Sequence, residues 1–210
     1  MFRIATWNVN SLRVRLPHVL AWLDAEQPDV LALQETKLQD PDFPRDTFAE
    51  RGYQALHAGE KTYNGVAILS RAPLALVADS FPAFDDPQRR VLHARTGGVD
   101  VLDIYVPNGS EIGSEKFEYK LRWLGRLRQY VSGLIDAGGR LAVVGDFNIA
   151  PAPEDVHDPA AWQGQVLFSE AERDEFSGLL RQGLVDCFRL FRQEPGGYTW
   201  WDYRAGAFRR

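Results

Sequence analysis

At 210 residues, 45% of them hydrophobic and 25% charged, the chain has the composition of an ordinary soluble globular protein and the length of one large domain. A formal charge of −5 argues against a protein that coats nucleic acid indiscriminately, and a single cysteine rules out an internal disulfide. No apolar run approaches the roughly 20 residues of a membrane-spanning helix, and the strand-like start Met1-Phe2-Arg3-Ile4-Ala5-Thr6-Trp7 lacks the basic-then-apolar order of a signal peptide, so a reducing, cytoplasmic location is expected.

Residues 4–9 are a short apolar run with β-branched members, a predicted strand. Residues 15–26 place Leu16, Val19, Leu20 and Leu23 at helical spacing, and Pro28 closes that helix. Residues 29–34 then read as a buried strand, and a strand–helix–strand opening points to a layered α/β fold. Residues 65–70 give another strand, and residues 91–106 a hairpin turned by Thr96-Gly97-Gly98, whose glycines supply the positive φ of a tight turn. The clearest helix spans 116–136, with an apolar stripe of Phe117, Leu121, Leu124, Leu127, Val131 and Leu134 and a stop at Gly138-Gly139. Residues 141–144 are a short buried strand that empties into Gly145-Asp146-Phe147-Asn148. After a Pro- and Asp-rich loop over 151–162, Ser169 and Glu172 have the spacing of a capping box, so a helix should start there and end near Gly183. Val185 and Phe188 beside Cys187 suggest a buried thiol. No repeat, low-complexity stretch or linker divides the chain, which predicts a single domain over 1–210.

Four polar segments follow predicted strands: Thr6-Trp7-Asn8-Val9-Asn10, Leu33-Gln34-Glu35-Thr36-Lys37, Tyr105-Val106-Pro107-Asn108-Gly109 and Gly145-Asp146-Phe147-Asn148. Sites of layered α/β proteins gather at strand ends. Their Asn, Glu and Asp side chains offer hard oxygen ligands and amide donors, and the chain has no Cys/His cluster of the kind zinc prefers, so Mg²⁺, Mn²⁺ or Ca²⁺ is the expected metal. Taken singly, each has a bland reading: an Asn after a strand is more often a turn residue, a Glu a surface residue, and Asp146-Phe147-Asn148 a cap or Asx turn. Four together, each behind an apolar strand, are harder to read that way. By charge, Arg89, Arg90, Lys116 and Lys120 are candidate phosphate contacts, although the series Lys116, Lys120, Arg122, Arg126, Arg128 also fits a solvated helix face.

In this order the four segments, with Tyr63-Asn64-Gly65-Val66-Ala67-Ile68-Leu69-Ser70 and Tyr198-Thr199-Trp200-Trp201-Asp202-Tyr203-Arg204, make the chain resemble the exonuclease III family of abasic-site endonucleases, within the endonuclease/exonuclease/phosphatase superfamily. The resemblance implies a four-layer αββα sandwich of two mixed sheets flanked by helices. It implies a monomeric, Mg²⁺-dependent enzyme, with Mn²⁺ as a substitute, that incises on the 5′ side of abasic sites in double-stranded DNA and trims recessed 3′ ends as a 3′→5′ exonuclease and 3′-phosphatase. Glu35 and Asn8 would hold the metal, Asp146 would orient and deprotonate water, Asn148 would hold the scissile phosphate or support the metal, Tyr105 would hydrogen-bond the phosphate, and Trp200 and Trp201 would lie at the DNA-binding edge. Family members continue past position 210 with an Arg-Ile-Asp strand motif and a Ser-Asp-His motif. His18, His57, His93 and His157 stand in no comparable context, so the expectation is a domain lacking its C-terminal strands, with impaired activity. Two rival readings are a superfamily phosphoesterase acting on a lipid or inositol phosphate and a non-catalytic DNA-binding remnant.

Overall fold

The computed structural model describes residues 1–191 and 197–199. Strands β1 (Ile4–Asn8), β2 (Val30–Gln34), β3 (Gln54–Ala58) and β4 (Val66–Ser70) form one sheet in the order β1-β2-β4-β3. Strands β5 (Leu74–Ala78), β6 (Val91–Thr96), β7 (Val99–Tyr105) and β8 (Leu141–Asp146) form a second, in the order β5-β6-β7-β8. Both sheets are mixed: β1 runs parallel to β2 and β7 parallel to β8, while the remaining pairs are antiparallel. The chain forms two compact units, Met1–Tyr105 with Ala137–Phe147, which holds both sheets, and Val106–Asp136 with Asn148–Arg210.

Side chains alternate across a strand, and that parity sorts the first unit into two cores. Leu31 and Leu33 of β2 and Ala67 and Leu69 of β4 turn to one side, where they meet Val19 and Leu23 of helix α1 (Leu12–Glu26) and Phe48 of helix α2 (Arg45–Ala49). Val30, Val66 and Ile68 turn to the other side and meet Leu92, Ala94 and Val101 of the second sheet. With both faces covered, β2 and β4 are buried at every residue, which explains why they read as continuous apolar runs rather than alternating ones. Each buried Leu or Ile contributes roughly 1.5–3 kcal/mol. The expected α/β sandwich of two mixed sheets with flanking helices is thus the observed one.

In the second unit, helix α3 (Glu115–Asp136) buries Phe117, Lys120, Trp123, Leu124, Leu127 and Val131. A four-residue helix, α4 (Pro159–Trp162), precedes helix α5 (Glu170–Arg181), which opens on the expected capping box of Ser169 and Glu172. Helix α5 lies along α3, where Gln182 Nε2 donates to the Arg128 carbonyl at 3.1 Å.

Several elements depart from the sequence reading. Helix α1 starts at Leu12 rather than at residue 15, because non-local bonds set its first turn: Ser11 N donates to Glu35 O at 2.7 Å and Leu12 N to Thr36 O at 3.0 Å. Strands β3 and β5 and helix α2 gave no usable periodicity; each is five residues long, and β5 is an edge strand with Leu76 and Val77 exposed. Cys187 is exposed, not buried, and so are its neighbours Val185 and Phe188; local apolar company did not make a core there. Among the described residues no helix is long and apolar enough to cross a membrane.

Candidate active site

The parallel pairs β1–β2 and β7–β8 end together, with Asn8 in register with Gln34 and Tyr105 with Asp146. Asn8, Gln34, Tyr105 and Asp146 share the parity of Ile4, Val30, Val101 and Val144, residues that face the opposite sheet. Asn8, Glu35, Tyr105 and Asp146 thus converge at one edge of the sandwich. Asn8 is the hub: its Nδ2 donates to Glu35 Oε1 at 2.8 Å and to Asp146 Oδ2 at 2.7 Å, and its Oδ1 accepts from Asn10 N at 2.9 Å. The Tyr105 phenol and the Glu35 carboxylate lie near enough for each to shift the titration of the other.

Glu35 lies one residue beyond the strand and reaches the cluster through a left-handed backbone, φ 52°. That conformation is uncommon for a residue with a side chain and is held here by its surroundings. Ser11 N donates to the Glu35 carbonyl, and Thr36 N donates to Gly65 O at 3.1 Å. Gly145 has φ 133°, and a Cβ there would stand 2.0 Å from Ile104 O, so only glycine lets β8 run this close to β7 just before Asp146.

Burial would raise the Glu35 carboxyl, but hydrogen bonds from Asn8 and Lys37, the Lys37 charge and the Tyr105 hydroxyl outweigh it, and the group ends below its usual range. Tyr105 moves up: burial comes first, the charges of Glu35 and Asp146 add to it, and Arg90 opposes them, so the phenol stays protonated. Arg90 sits with its guanidinium 4.5 Å from the Tyr105 ring centre and donates to the Tyr105 carbonyl at 3.1 Å. The sequence reading left Lys37 and Asn10 without roles, yet both belong to the site. Lys37 Nζ lies 2.9 Å from Glu35 Oε2 and bonds Asn10 Oδ1, and Arg15 donates to the Asn10 carbonyl at 2.7 Å. Their membership in the same polar segments was the available signal.

Behind the cluster lie two buried polar supports. Gln34 Nε2 donates to Thr6 Oγ1 at 2.9 Å and to Asp103 Oδ1 at 2.7 Å, tying the sheets together beneath Glu35. Asp103 is fully buried, and that burial holds its carboxyl well above the ordinary range despite the bonds from Gln34 and the Ala67 backbone. On the helix side, Thr36 Oγ1 is 2.9 Å from His57 Nε2, and His57 Nδ1 is 2.8 Å from Asp40 Oδ1. A hydroxyl, an imidazole and a carboxylate in a row have the order of a hydrolase triad. Thr36 is completely buried, however, so no substrate can reach its hydroxyl and the row is structural.

Glu35, Asp146 and Asn8 make a donor set of hard oxygens with two carboxylates drawn to one amide, which fits a divalent cation that keeps part of its water shell. Among the described residues no three His, Cys, Asp or Glu side chains converge as a metal cage.

The remaining candidates divide. Asn148 belongs to the second unit and is buried, with φ 47°; its Nδ2 donates to Val106 O at 2.9 Å and its Oδ1 accepts from Asn108 at 3.4 Å. Lys116 is exposed on α3. Lys120 is a correction to the charge-based reading: it is completely buried and bonded to Glu172 and two backbone carbonyls, so its ammonium serves the fold rather than a DNA phosphate. Its place on the stripe, three residues after Phe117 and four before Leu124, was the signal for that. Arg89 pairs with Asp79 at 3.2 Å. Trp200 and Trp201 lie outside the described residues.

Residues 5–210 match the Endonuclease/Exonuclease/phosphatase family. Exodeoxyribonuclease III of Haemophilus influenzae is 32% identical over 220 residues, a match covering 98% of this chain and 82% of the relative. Among solved structures, a 3′ phosphatase from Neisseria bound to a product DNA hairpin superposes with a TM-score of 0.96 at 44% identity, covering 100% of this chain and 82% of that one. An AP endonuclease from Archaeoglobus fulgidus gives 0.93 at 40% identity, over 97% and 79%.

Proposed function

We propose that this chain, which belongs to the exonuclease III family of the endonuclease/exonuclease/phosphatase superfamily, is a divalent-metal-dependent DNA-repair phosphodiesterase acting on abasic sites and recessed 3′ ends of duplex DNA, in the cytoplasm and as a monomer. One observation carries the reading: Asn8 draws the Glu35 and Asp146 carboxylates together at the strand ends.

Phosphodiester hydrolysis needs charge neutralised on the phosphate and a nucleophile aligned opposite the leaving oxygen. Glu35 and Asn8 would hold the ion, Mg²⁺ or in its place Mn²⁺. When bound, such a cation supplies charge neutralisation at the phosphate oxygens. The Asp146 carboxylate, steered by Asn8, orients a water and accepts its proton. Tyr105, kept protonated, donates its hydroxyl to a phosphate oxygen, and Arg90 braces the ring from behind. Asn148, two residues after Asp146, supplies an amide to the phosphate. Lys116, Arg90, Trp200 and Trp201 are the proposed DNA contacts.

The test is a 5′-labelled duplex carrying one abasic-site analogue, incubated with Mg²⁺ or with EDTA. Incision on the 5′ side with Mg²⁺ alone is expected, and Asp146→Asn should slow it by about 10²- to 10⁴-fold, the usual contribution of a positioned base. Faster hydrolysis of sphingomyelin or inositol phosphates than of the duplex would sink the proposal, and so would salt-sensitive DNA binding without turnover.

A further inference from the structure

Lys120 and Glu172 are each 0% exposed and paired with one another inside the second unit. Two buried charges are tolerated only where the remaining donors and acceptors are met. Here they are. The ammonium also donates to the Asn148 carbonyl at 2.6 Å and the Asn108 carbonyl at 3.1 Å. The carboxylate also accepts from Leu167 N at 2.9 Å, from Ser169 N at 3.0 Å and from the Ser169 hydroxyl. A leucine at 120 would continue the α3 stripe, and the capping box of α5 needs no lysine. The ammonium holds the backbone of two separate loops at one point.

Both loops bear polar residues of the motif segments. Asn148 has a left-handed backbone, φ 47°, which a β-carbon disfavours unless its surroundings impose it. Gly109, φ 93°, lies directly on the lysine stem: a Cβ there would stand 3.1 Å from Lys120 Cδ and 3.2 Å from Val166 Cγ2. The loop around Asn108 is thus pressed onto the same side chain that tethers Asn148.

We propose that the Lys120–Glu172 pair is a positioning clamp for Asn148, fixing the left-handed turn on which its role depends. This rests on the phosphate-binding role of Asn148 given above. Lys120 touches no substrate; it acts through the Asn148 carbonyl.

The experiment is a mutant cycle on the full chain, with turnover on the abasic duplex and thermal melting read together. Lys120→Met alone strands a buried carboxylate and can unfold the protein. The pair Lys120→Met/Glu172→Leu removes both charges and leaves an apolar match, an exchange that folds tolerate. That double variant should melt as a folded protein, yet its kcat should fall by about 10- to 100-fold, the effect of misplacing a positioning group by an ångström, with KM moving less than about threefold. Added to Asn148→Ala, the same pair should cost less than about threefold further, because its effect runs through the residue already removed. A well-folded double variant with undiminished kcat, or losses that multiply in full on the Asn148→Ala background, would overturn the clamp while leaving the phosphodiesterase reading in place. Undiminished turnover by Asn148→Ala would remove the role the clamp serves and overturn it too. Failure of the wild type to incise the duplex at all is the distinct signature of a wrong functional reading.

Discussion

His57 shows how a side chain outside the chemistry sets a site residue. Its Nε2 anchors Thr36, the neighbour of Glu35, its ring stacks on Phe43 at 4.2 Å, and burial pulls its pKa down to about 4, with Arg45 adding to that and Asp40 opposing it. An unfolded histidine titrates near 6.5. Between those values the unfolded chain binds the proton and the folded one does not. Stability is therefore full above about pH 6.5 and is lost as pH falls towards 4, by on the order of 2–3 kcal/mol from this group alone. Other groups titrate in the same window, so the informative quantity is the difference between wild type and His57→Gln. Urea midpoints taken from pH 7 to pH 4 should show the variant weaker at pH 7 and the two curves converging towards pH 4. Curves that stay parallel across that range would show that His57 is not held neutral.

At the scale of strands and helices, the sequence is most informative where local and non-local demands agree. Each site segment stands directly after an apolar strand, and strand parity then delivers Asn8, Gln34, Tyr105 and Asp146 to the inward faces without further instruction. Legibility ends where a residue's role is set by a distant partner. Lys120 looks like surface charge until Glu172 is placed beside it, and Lys37 looks like the tail of a motif until it is found on Glu35. Edge strands as short as β5 carry too little pattern to be seen at all. Glycine positions are sharper statements, and two of them can be set against each other. At Gly145 a methyl group meets Ile104 O at 2.0 Å, whereas at Gly98, φ 76°, nothing lies within 4 Å. Gly98→Ala should cost only the conformational strain, about 1 kcal/mol, and leave incision unchanged. Gly145→Ala adds a backbone collision, so it should cost roughly 2 kcal/mol or more and, by shifting Asp146, slow incision by about 100-fold. Unfolding midpoints and single-turnover rates for the pair decide the matter, and equal behaviour of the two variants would mean that β8 relaxes without disturbing Asp146.

For the molecule as a whole, folding and metal binding should be linked, since an ion that binds only the folded chain stabilises it by mass action. The chain carries a net charge of −5, and it gathers two carboxylates at one edge of its sandwich, so a cation there relieves repulsion that the fold otherwise contains. At 100 times the dissociation constant the linkage is worth about 2.7 kcal/mol, which for a chain of this size corresponds to a rise of about 5–10 °C in Tm. Glu35 is the sensitive probe. Its carboxyl sits below the usual range, so ionised Glu35 is mildly stabilising even without metal, through Asn8 and a partly exposed pair with Lys37 that is worth about 1 kcal/mol or less. In EDTA, then, Glu35→Gln should melt only slightly below wild type, because its amide can still meet some of these partners. With Mg²⁺ the two should separate, the wild type rising by several degrees and the variant hardly moving. A Glu35→Gln protein that keeps the whole Mg²⁺-dependent rise would place the ion elsewhere, and a wild type with no rise would mean that the carboxylates at these strand ends do not hold one.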